Sequence, residues 1–251
     1  DGLFYRDVSD AILHSHMPYQ QGLVECPEIP EFTLCPCATT GGGAIHWMLN
    51  AEVAAKVGTT NLDSYDKASH YLSVLTERID RTAEHMPEIQ ETAATMAERV
   101  LSGGRWFAES LEHPGFKEEF QVACGPRMVN TGDWNACRDR NIMSISAISP
   151  ALPDEVRLAT RKKAEGAFVI GIGPSSLDGV VPAGCLIDVA AAGFDNFSPE
   201  SGGVIQIPGR EDSICPTSGV VGNVIQQMIC AQWADEMVRR GSVPYFSTRS
   251  T

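Results

Sequence analysis

The sequence predicts an α/β protein built on a doubly wound, mostly parallel sheet with helices on both faces. From about residue 105 onward, short apolar runs typical of strands alternate with segments of helical periodicity. One of these runs, FVIGI at 168–172, is apolar throughout, as expected for a parallel strand that is buried on both faces. Because ligands of such sheets bind beyond the carboxyl ends of the strands, we expect a functional site at that edge.

The first hundred residues are predicted to be mainly helical after an irregular start. Residues 1–33 contain three prolines and show little periodicity, which favours linker-like or strand-rich peripheral structure. A Gly-rich stretch leads into a helix over 42–57, and Asn61–Asp63 offers a cap for a second helix. Pro87 is expected to end that helix, and a third helix spans 88–101 before a Ser-Gly-Gly stop.

The predicted α/β part follows. Its predicted strands are residues 105–110, 141–148, 168–172, 186–190 and 203–207. Its predicted helices are residues 116–124, 153–165 and 222–240. The middle helix begins with Pro153 followed by two carboxylates. This pattern suits a first helical turn, because no backbone donor is needed there and anions complement the helix dipole.

Residues 34–58 and 214–238 resemble each other at a constant offset of 180 residues. The identical pairs include Cys35/Cys215, Pro36/Pro216, Gly42/Gly222, Ile45/Ile225, Met48/Met228, Ala51/Ala231 and Ala54/Ala234. Both segments predict a Gly-rich turn followed by a buried helix. A repeat at this spacing indicates two similar domains, so that residues 1–60 would form the tail of a preceding domain and residues 61–251 a whole one. The alternative is two unrelated helices that share small, apolar faces.

Composition argues against several partner classes. A net charge of −13 argues against nucleic acid or an anionic membrane as a partner. No stretch reaches the roughly 18 apolar residues that a membrane span requires. The eight cysteines are too dilute in 251 residues for a disulfide scaffold, and most lie in apolar context. The sequence therefore predicts a cytoplasmic protein with reduced, buried thiols.

Four stretches carry a resemblance to a known family. They read AERVLSGGRWFA, KEEFQVACGPRMVN, NIMSISAISPALPDEVRLATRKKAEGAFVIGI and ICPTSGVVGNVIQQMICAQWADEMVRRGSVPYF. In this order they resemble the SIS (sugar isomerase) domain, particularly its stand-alone phosphosugar-binding branch, over about 160 of the 251 residues. The resemblance implies a flavodoxin-like sandwich that binds a sugar or sugar phosphate, uses no redox cofactor and forms a homodimer or higher homo-oligomer.

The ligand loops depart from the family pattern. The family's Gly-x-Gly-x-Ser loop is replaced by the bulky stretch 109–115, and its Ser-x-Ser-Gly phosphate loop by 147–150, where Pro150 removes a backbone donor. The closing turn keeps the hydroxyls of Thr217 and Ser218. The ligand contacts that the resemblance implies are Ser110, Ser149, Thr217 and Ser218. The alternative is that these residues serve only as turn and helix-cap residues, where hydroxyls are common.

The resemblance implies aldose–ketose isomerisation if the protein is an enzyme. Moving a proton between adjacent carbons needs a base such as Glu or His, and the candidates are Glu112, His113, Glu118 and Glu119. The alternative for the glutamates is that first-turn carboxylates complement a helix dipole. A second hypothesis, favoured by the lost loop glycines, is a non-catalytic sensor or structural subunit with a degenerate pocket.

Two short patterns suggest other chemistry. His14-x-His16 and Cys35-x-Cys37 carry zinc-type ligands, which gives a third hypothesis of a metal-dependent hydrolase. No second cysteine pair completes the site, so we predict buried thiols and a surface histidine pair without a metal. GIGP at 171–174 lacks the rest of a dinucleotide-binding motif, and we predict no nucleotide cofactor.

Overall fold

A computed structural model describes residues 9–17, 22–30, 33–57, 66–109, 111, 129–130, 132–149, 153–176, 179–198, 203–207 and 211–245. The strands in these ranges are β1 (Gly22–Val24), β2 (Leu34–Pro36), β3 (Trp106–Glu109), β4 (Val129–Asn130), β5 (Ile142–Ser146), β6 (Phe168–Gly173), β7 (Ala192–Asp195), β8 (Gly203–Ile205) and β9 (Ile214–Pro216). The α-helices are α1 (Ala38–Val57), α2 (Lys67–Arg81), α3 (Met86–Leu101), α4 (Pro153–Ala164), α5 (Leu186–Val189) and α6 (Ser218–Arg239). None of these helices is long and apolar enough to cross a bilayer.

The central sheet contains five parallel strands in the order β4-β3-β5-β6-β7. Strand β3, the first of the five along the chain, therefore lies between β4 at the edge and β5. Strands β6 and β7 follow beyond β5. Because all five strands run in one direction, their carboxyl ends share one edge. The residues at that edge include Glu109, Ser146, Gly173 and Asp195. The predicted α/β class with a mostly parallel sheet is confirmed.

Helices pack against both faces of this sheet. Successive strand residues point to opposite faces, so Trp106 and Ile142 join one apolar cluster while their neighbours Phe107 and Met143 join another. The first cluster includes the buried residues of α3 and α6, and the second those of α4 and α5. The core thus has two apolar layers separated by the sheet.

The predicted strand at 186–190 is wrong, because this segment forms the short helix α5. A short apolar run does not by itself distinguish a strand from a buried helix. Here the Asp188 carboxylate accepts a hydrogen bond of 2.7 Å from the Gly184 backbone N–H and stabilises the turn. The strand follows immediately as β7, where a Cβ on Gly193 would lie only 2.1 Å from the Ile187 carbonyl oxygen. Glycine therefore lets α5 lie directly on the sheet.

Other boundaries differ from the sequence predictions. The repeat helices begin four residues earlier than predicted, at Ala38 and Ser218. Helix α2 is capped by Asp66, whereas the predicted cap Asn61–Asp63 lies outside the described residues, as does the predicted helix 116–124. Helix α2 ends before Pro87, which lies instead in the first turn of α3.

The predicted strand at 203–207 forms as β8, but it pairs antiparallel with β9 outside the central sheet. The same unit occurs earlier in the chain, where β1 pairs antiparallel with β2 and α1 follows. In both units the cysteine before the proline has a left-handed backbone, with φ of 63° at Cys35 and 61° at Cys215. The two repeat segments therefore share one structure, and each packs on the other, β2 against α6 and β9 against α1.

The hairpin of the second unit depends on a glycine. A Cβ on Gly203 would lie 2.3 Å from the backbone of Ser213. We expect Gly203→Ala to lower the free energy of unfolding by about 2 kcal/mol or more, because neither strand can move without breaking the pairing. Urea denaturation of the purified chain measures the change.

Gly42→Ala is the matched control for this prediction. Gly42 lies inside α1, where an added Cβ would meet no atom within 4 Å. Alanine is the better helix former, so this variant should be unchanged or more stable by about 0.5–1 kcal/mol. Equal stability of the two variants would contradict the close approach at Gly203.

Candidate functional site

The end of α2 and the start of α6 meet at the carboxyl edge of the sheet. Arg78, near the end of α2, donates a hydrogen bond to Thr217 Oγ1 at the start of α6. A second hydrogen bond of 3.1 Å joins Thr217 Oγ1 to Ser198 Oγ, in the loop that follows β7. Both hydroxyl residues are buried. A cation and two hydroxyls from three separate parts of the chain therefore converge at this edge.

The loop after β7 is held by two side chains that bond to their own backbone. Asp195 Oδ1 accepts from the N–H groups of Phe197, at 2.8 Å, and Ser175, at 3.1 Å. Asn196 Oδ1 accepts from Ser198 N at 3.1 Å. Such turns are typical of Asp and Asn. Phe197 has a φ of 55°, which is rare for a bulky residue and occurs where the surroundings over-determine the backbone.

The side chains of Arg81 and His85, between α2 and α3, cover this loop. The His85 ring lies nearly parallel to the Phe197 ring, with 5.2 Å between centroids, and His85 Nε2 donates to the Asp195 carbonyl at 2.8 Å. The Arg81 guanidinium lies 4.0 Å from the centroid of the Phe197 ring, a cation–π distance. These contacts fix Phe197 and thereby the position of Ser198.

The first turn of α6 is mostly buried, with Gly219 as its partly exposed residue. Thr217 makes no side-chain cap to the helix, since its hydroxyl is engaged by Arg78. Tyr71 OH donates to the Pro216 carbonyl at 3.1 Å and holds the turn from the other side. A Cβ on Gly219 would meet no atom within 4 Å. The amide groups of a helix N-terminus carry partial positive charge and favour an anion.

Arg78 brings a positive charge to this edge, where the Asp195 carboxylate acts on it electrostatically. Arg78 is half-buried, and this burial lowers the pKa of its guanidinium, although arginine remains charged at neutral pH. No carboxylate within the described ranges forms an ion pair with it. A guanidinium has five donors, and one of them is used on Thr217. Asn196, two residues before Ser198, is fully buried. Its side-chain nitrogen Nδ2 has no hydrogen-bond partner in the described part of the chain.

Three of the predicted ligand residues lie near the carboxyl edge of the sheet. Thr217 and Ser218 begin α6 and are buried, and Ser149 is partly buried three residues after the end of β5. Helix α6 lies against that strand end, since a Cβ on Gly222 would be 3.7 Å from Ser146 Oγ. The remaining predicted site residues lie outside the described residues; they are Ser110, Glu112, His113, Glu118 and Glu119.

The zinc-type residues of the third hypothesis do not assemble into a site. The His14 and His16 rings are 6.3 Å apart. Cys37 Sγ lies 2.9 Å from Met17 Sδ, and Cys35 donates to a backbone carbonyl of α6. Across the described ranges, no group of three or more His, Cys, Asp or Glu side chains is placed to hold a metal ion.

A pocket of about 360 Å³ lies elsewhere, beside α4. Its charged residues already have partners, because Arg157 pairs with Asp154 and Arg161 lies 4.8 Å from the centroid of the Trp134 ring. Arg78 has no such ionic partner in the described residues. The carboxyl edge at α6 is therefore the better candidate for binding an anion.

Sequence reasoning missed Arg78, Asn196 and Ser198. The polar run Asp195-Asn196-Phe197-Ser198 directly after a buried strand was a usable signal, because such loops lie at the ligand edge of a parallel sheet. The predicted strand at 186–190 hides this signal, because the polar run then does not directly follow a strand. Nothing local marks Arg78, whose partner Thr217 is 139 residues away.

No protein-family model matches the chain, and no curated protein is significantly similar to it.

We expect Thr217→Val to lower the free energy of unfolding by about 1–3 kcal/mol, because it leaves a half-buried Arg78 donor and Ser198 without their shared partner. Thr217→Ser keeps the hydroxyl and should recover most of the loss. Urea denaturation of the two variants and the parent chain tests this. A Thr217→Val variant as stable as the parent would show that the hydroxyl is not the link described.

Proposed function

We propose that this chain is a SIS-like α/β protein that binds a sugar or sugar phosphate at the carboxyl edge of its sheet. The observation that carries the proposal is the convergence of Arg78, Thr217 and Ser198 at the start of α6. Thr217 is the one of these three that the family resemblance also implicates. A guanidinium that forms no ion pair within the described ranges, beside hydroxyl groups and a helix N-terminus, suits the phosphate of such a ligand.

The strand order supports the same proposal. When the five parallel strands are numbered along the chain, their order across the sheet is 2-1-3-4-5. This is the order of flavodoxin-like doubly wound sheets. In that order the crevice opens between the first and third strands, here β3 and β5. The strands end at Glu109 and Ser146, so the crevice adjoins the first turns of α6.

Arg78 offers a replacement for the altered phosphate loop. The stretch 147–150 has one serine fewer than the family pattern, and Pro150 supplies no N–H. A guanidinium binds phosphate through charge-assisted, often bidentate hydrogen bonds. Anion recognition would thus have moved from the loop after β5 to the side chain at the end of α2.

Isomerase activity is the chemical extension of this proposal. Glu112, His113, Glu118 and Glu119 remain the candidate bases, with Ser110 and Ser149 as candidate ligand contacts. Incubation with aldose phosphates in D₂O, followed by NMR, would detect deuterium entering the carbon next to the carbonyl, as expected for proton transfer between adjacent carbons.

A non-catalytic sensor or structural subunit is the second candidate. The observation that favours it is the burial of Thr217, whose side chain is 0% exposed and already bonded within the protein. A sensor would bind the ligand without turnover, whereas a structural subunit would give no binding at all.

Calorimetric titration with hexose and heptose phosphates, the matching free sugars and inorganic phosphate tests binding. We expect heat from at least one sugar phosphate, and Arg78→Gln should weaken it by about 10- to 100-fold, as expected for loss of charged hydrogen bonds. Gly219→Leu should also abolish binding, because it fills the space in front of the first turn of α6.

Arg157→Gln is the matched control, since it removes a charge of the same kind from the exposed surface of α4. Its affinity should equal that of the parent chain. Absence of heat with every compound in the panel would reject the binding proposal and leave the structural subunit.

A further inference from the structure

The two repeat helices differ in how much of their surface is covered. Helix α6 buries twelve of its 22 residues, whereas α1 buries only Ala51 of its 20. Yet α1 contains no Asp, Glu, Lys or Arg before Glu52. A helix that is apolar on every side is typically a buried one. The part of α1 before Glu52 approaches this pattern, apart from polar residues such as the exposed His46.

Three of the exposed residues of α1 are large and apolar. Leu49, Val53 and Val57 are 50%, 59% and 82% exposed. They are four residues apart and so lie on one face of the helix. We call these three residues the α1 stripe. A continuous exposed apolar surface of this kind marks an interaction site.

The second repeat unit shows what covers such a stripe. At the offset of 180 the α1 stripe corresponds to Ile229, Trp233 and Met237, which are 0%, 0% and 2% exposed. These residues belong to the cluster that α6 forms with α3 and one face of the parallel sheet. The rings of Trp233 and Trp106 of β3 meet edge to face, 5.5 Å between centroids.

The hairpins β1–β2 and β8–β9 also differ in the exposure of one equivalent residue. In equivalent positions of the two pairings, Val24 is 37% exposed and Ile205 is fully buried. The difference therefore includes the outer strand of the first hairpin, β1, as well as α1, whereas β2 is buried and packs against α6.

We infer that the α1 stripe is the docking surface for another α/β domain, which precedes this one in the same polypeptide. In the second unit, α3 and the sheet come before β8, β9 and α6 in the chain. The same order places the domain that covers α1 before β1. A second copy of this chain cannot offer the equivalent sheet face, because in each copy that face is occupied by its own α6. The inference is independent of sugar binding.

Cysteine labelling tests the inference. Val53→Cys is made in the 251-residue chain and in the complete polypeptide of the gene, and the rate of maleimide reaction is compared after subtraction of the parent background. We expect rapid labelling in the 251-residue chain, where position 53 is exposed, and labelling about tenfold slower or more in the complete polypeptide, where reaction requires local opening. Leu72→Cys on α2, 43% exposed, is the control and should react at the same rate in both.

Three results would overturn the inference. One is a gene that encodes no alternating strand and helix segments before residue 1. Another is equal labelling of Val53→Cys in both proteins. The third is protection that disappears on dilution together with a dimer seen by light scattering, since that result would make a second copy the occupant.

Discussion

The burial of α6 against one face of the parallel sheet is the interaction on which most of this structure depends. Ile229, Trp233 and Met237 enter the larger apolar core, where full burial of such side chains contributes about 1.5–3 kcal/mol each. Trp106 on the sheet receives Trp233 and in turn donates its indole N–H to Ser144 of the next strand at 2.9 Å. The same packing fixes the direction of α6, so that its first turn reaches the carboxyl edge.

The candidate site follows from that placement together with local strain. Cys215 and Phe197 both have left-handed backbones, a conformation that costs of order 1–3 kcal/mol in residues other than glycine. Each is held by its surroundings. Cys215 lies within β9, which pairs with β8, and Phe197 contacts both His85 and Arg81. The strain positions Thr217 and Ser198 within hydrogen-bonding distance. The free energy gained by packing the core therefore offsets the strain that holds the polar cluster around the half-buried Arg78.

The elements with strong periodicity could be predicted from the sequence, and those decided by tertiary packing could not. The runs at 142–146 and 168–173 are apolar enough to be strands in any context, and Pro153 marks the start of α4. The segment 186–190 is equally apolar, but its fate depends on Gly193 admitting a helix against the sheet. At the site, Thr217 was predictable from its turn, whereas Arg78 was not, since a helical arginine is usually a solvated one.

The internal repeat separates what local sequence determines from what tertiary context determines. Two segments 180 residues apart form the same hairpin, the same strained cysteine and the same helix, although α6 is mostly buried and α1 is mostly half-buried or exposed. Local sequence is therefore sufficient for the turn and the helix in either environment. The polar cluster arises only in the second unit, because only there do a sheet edge and the end of α2 bring Ser198 and Arg78 to the turn.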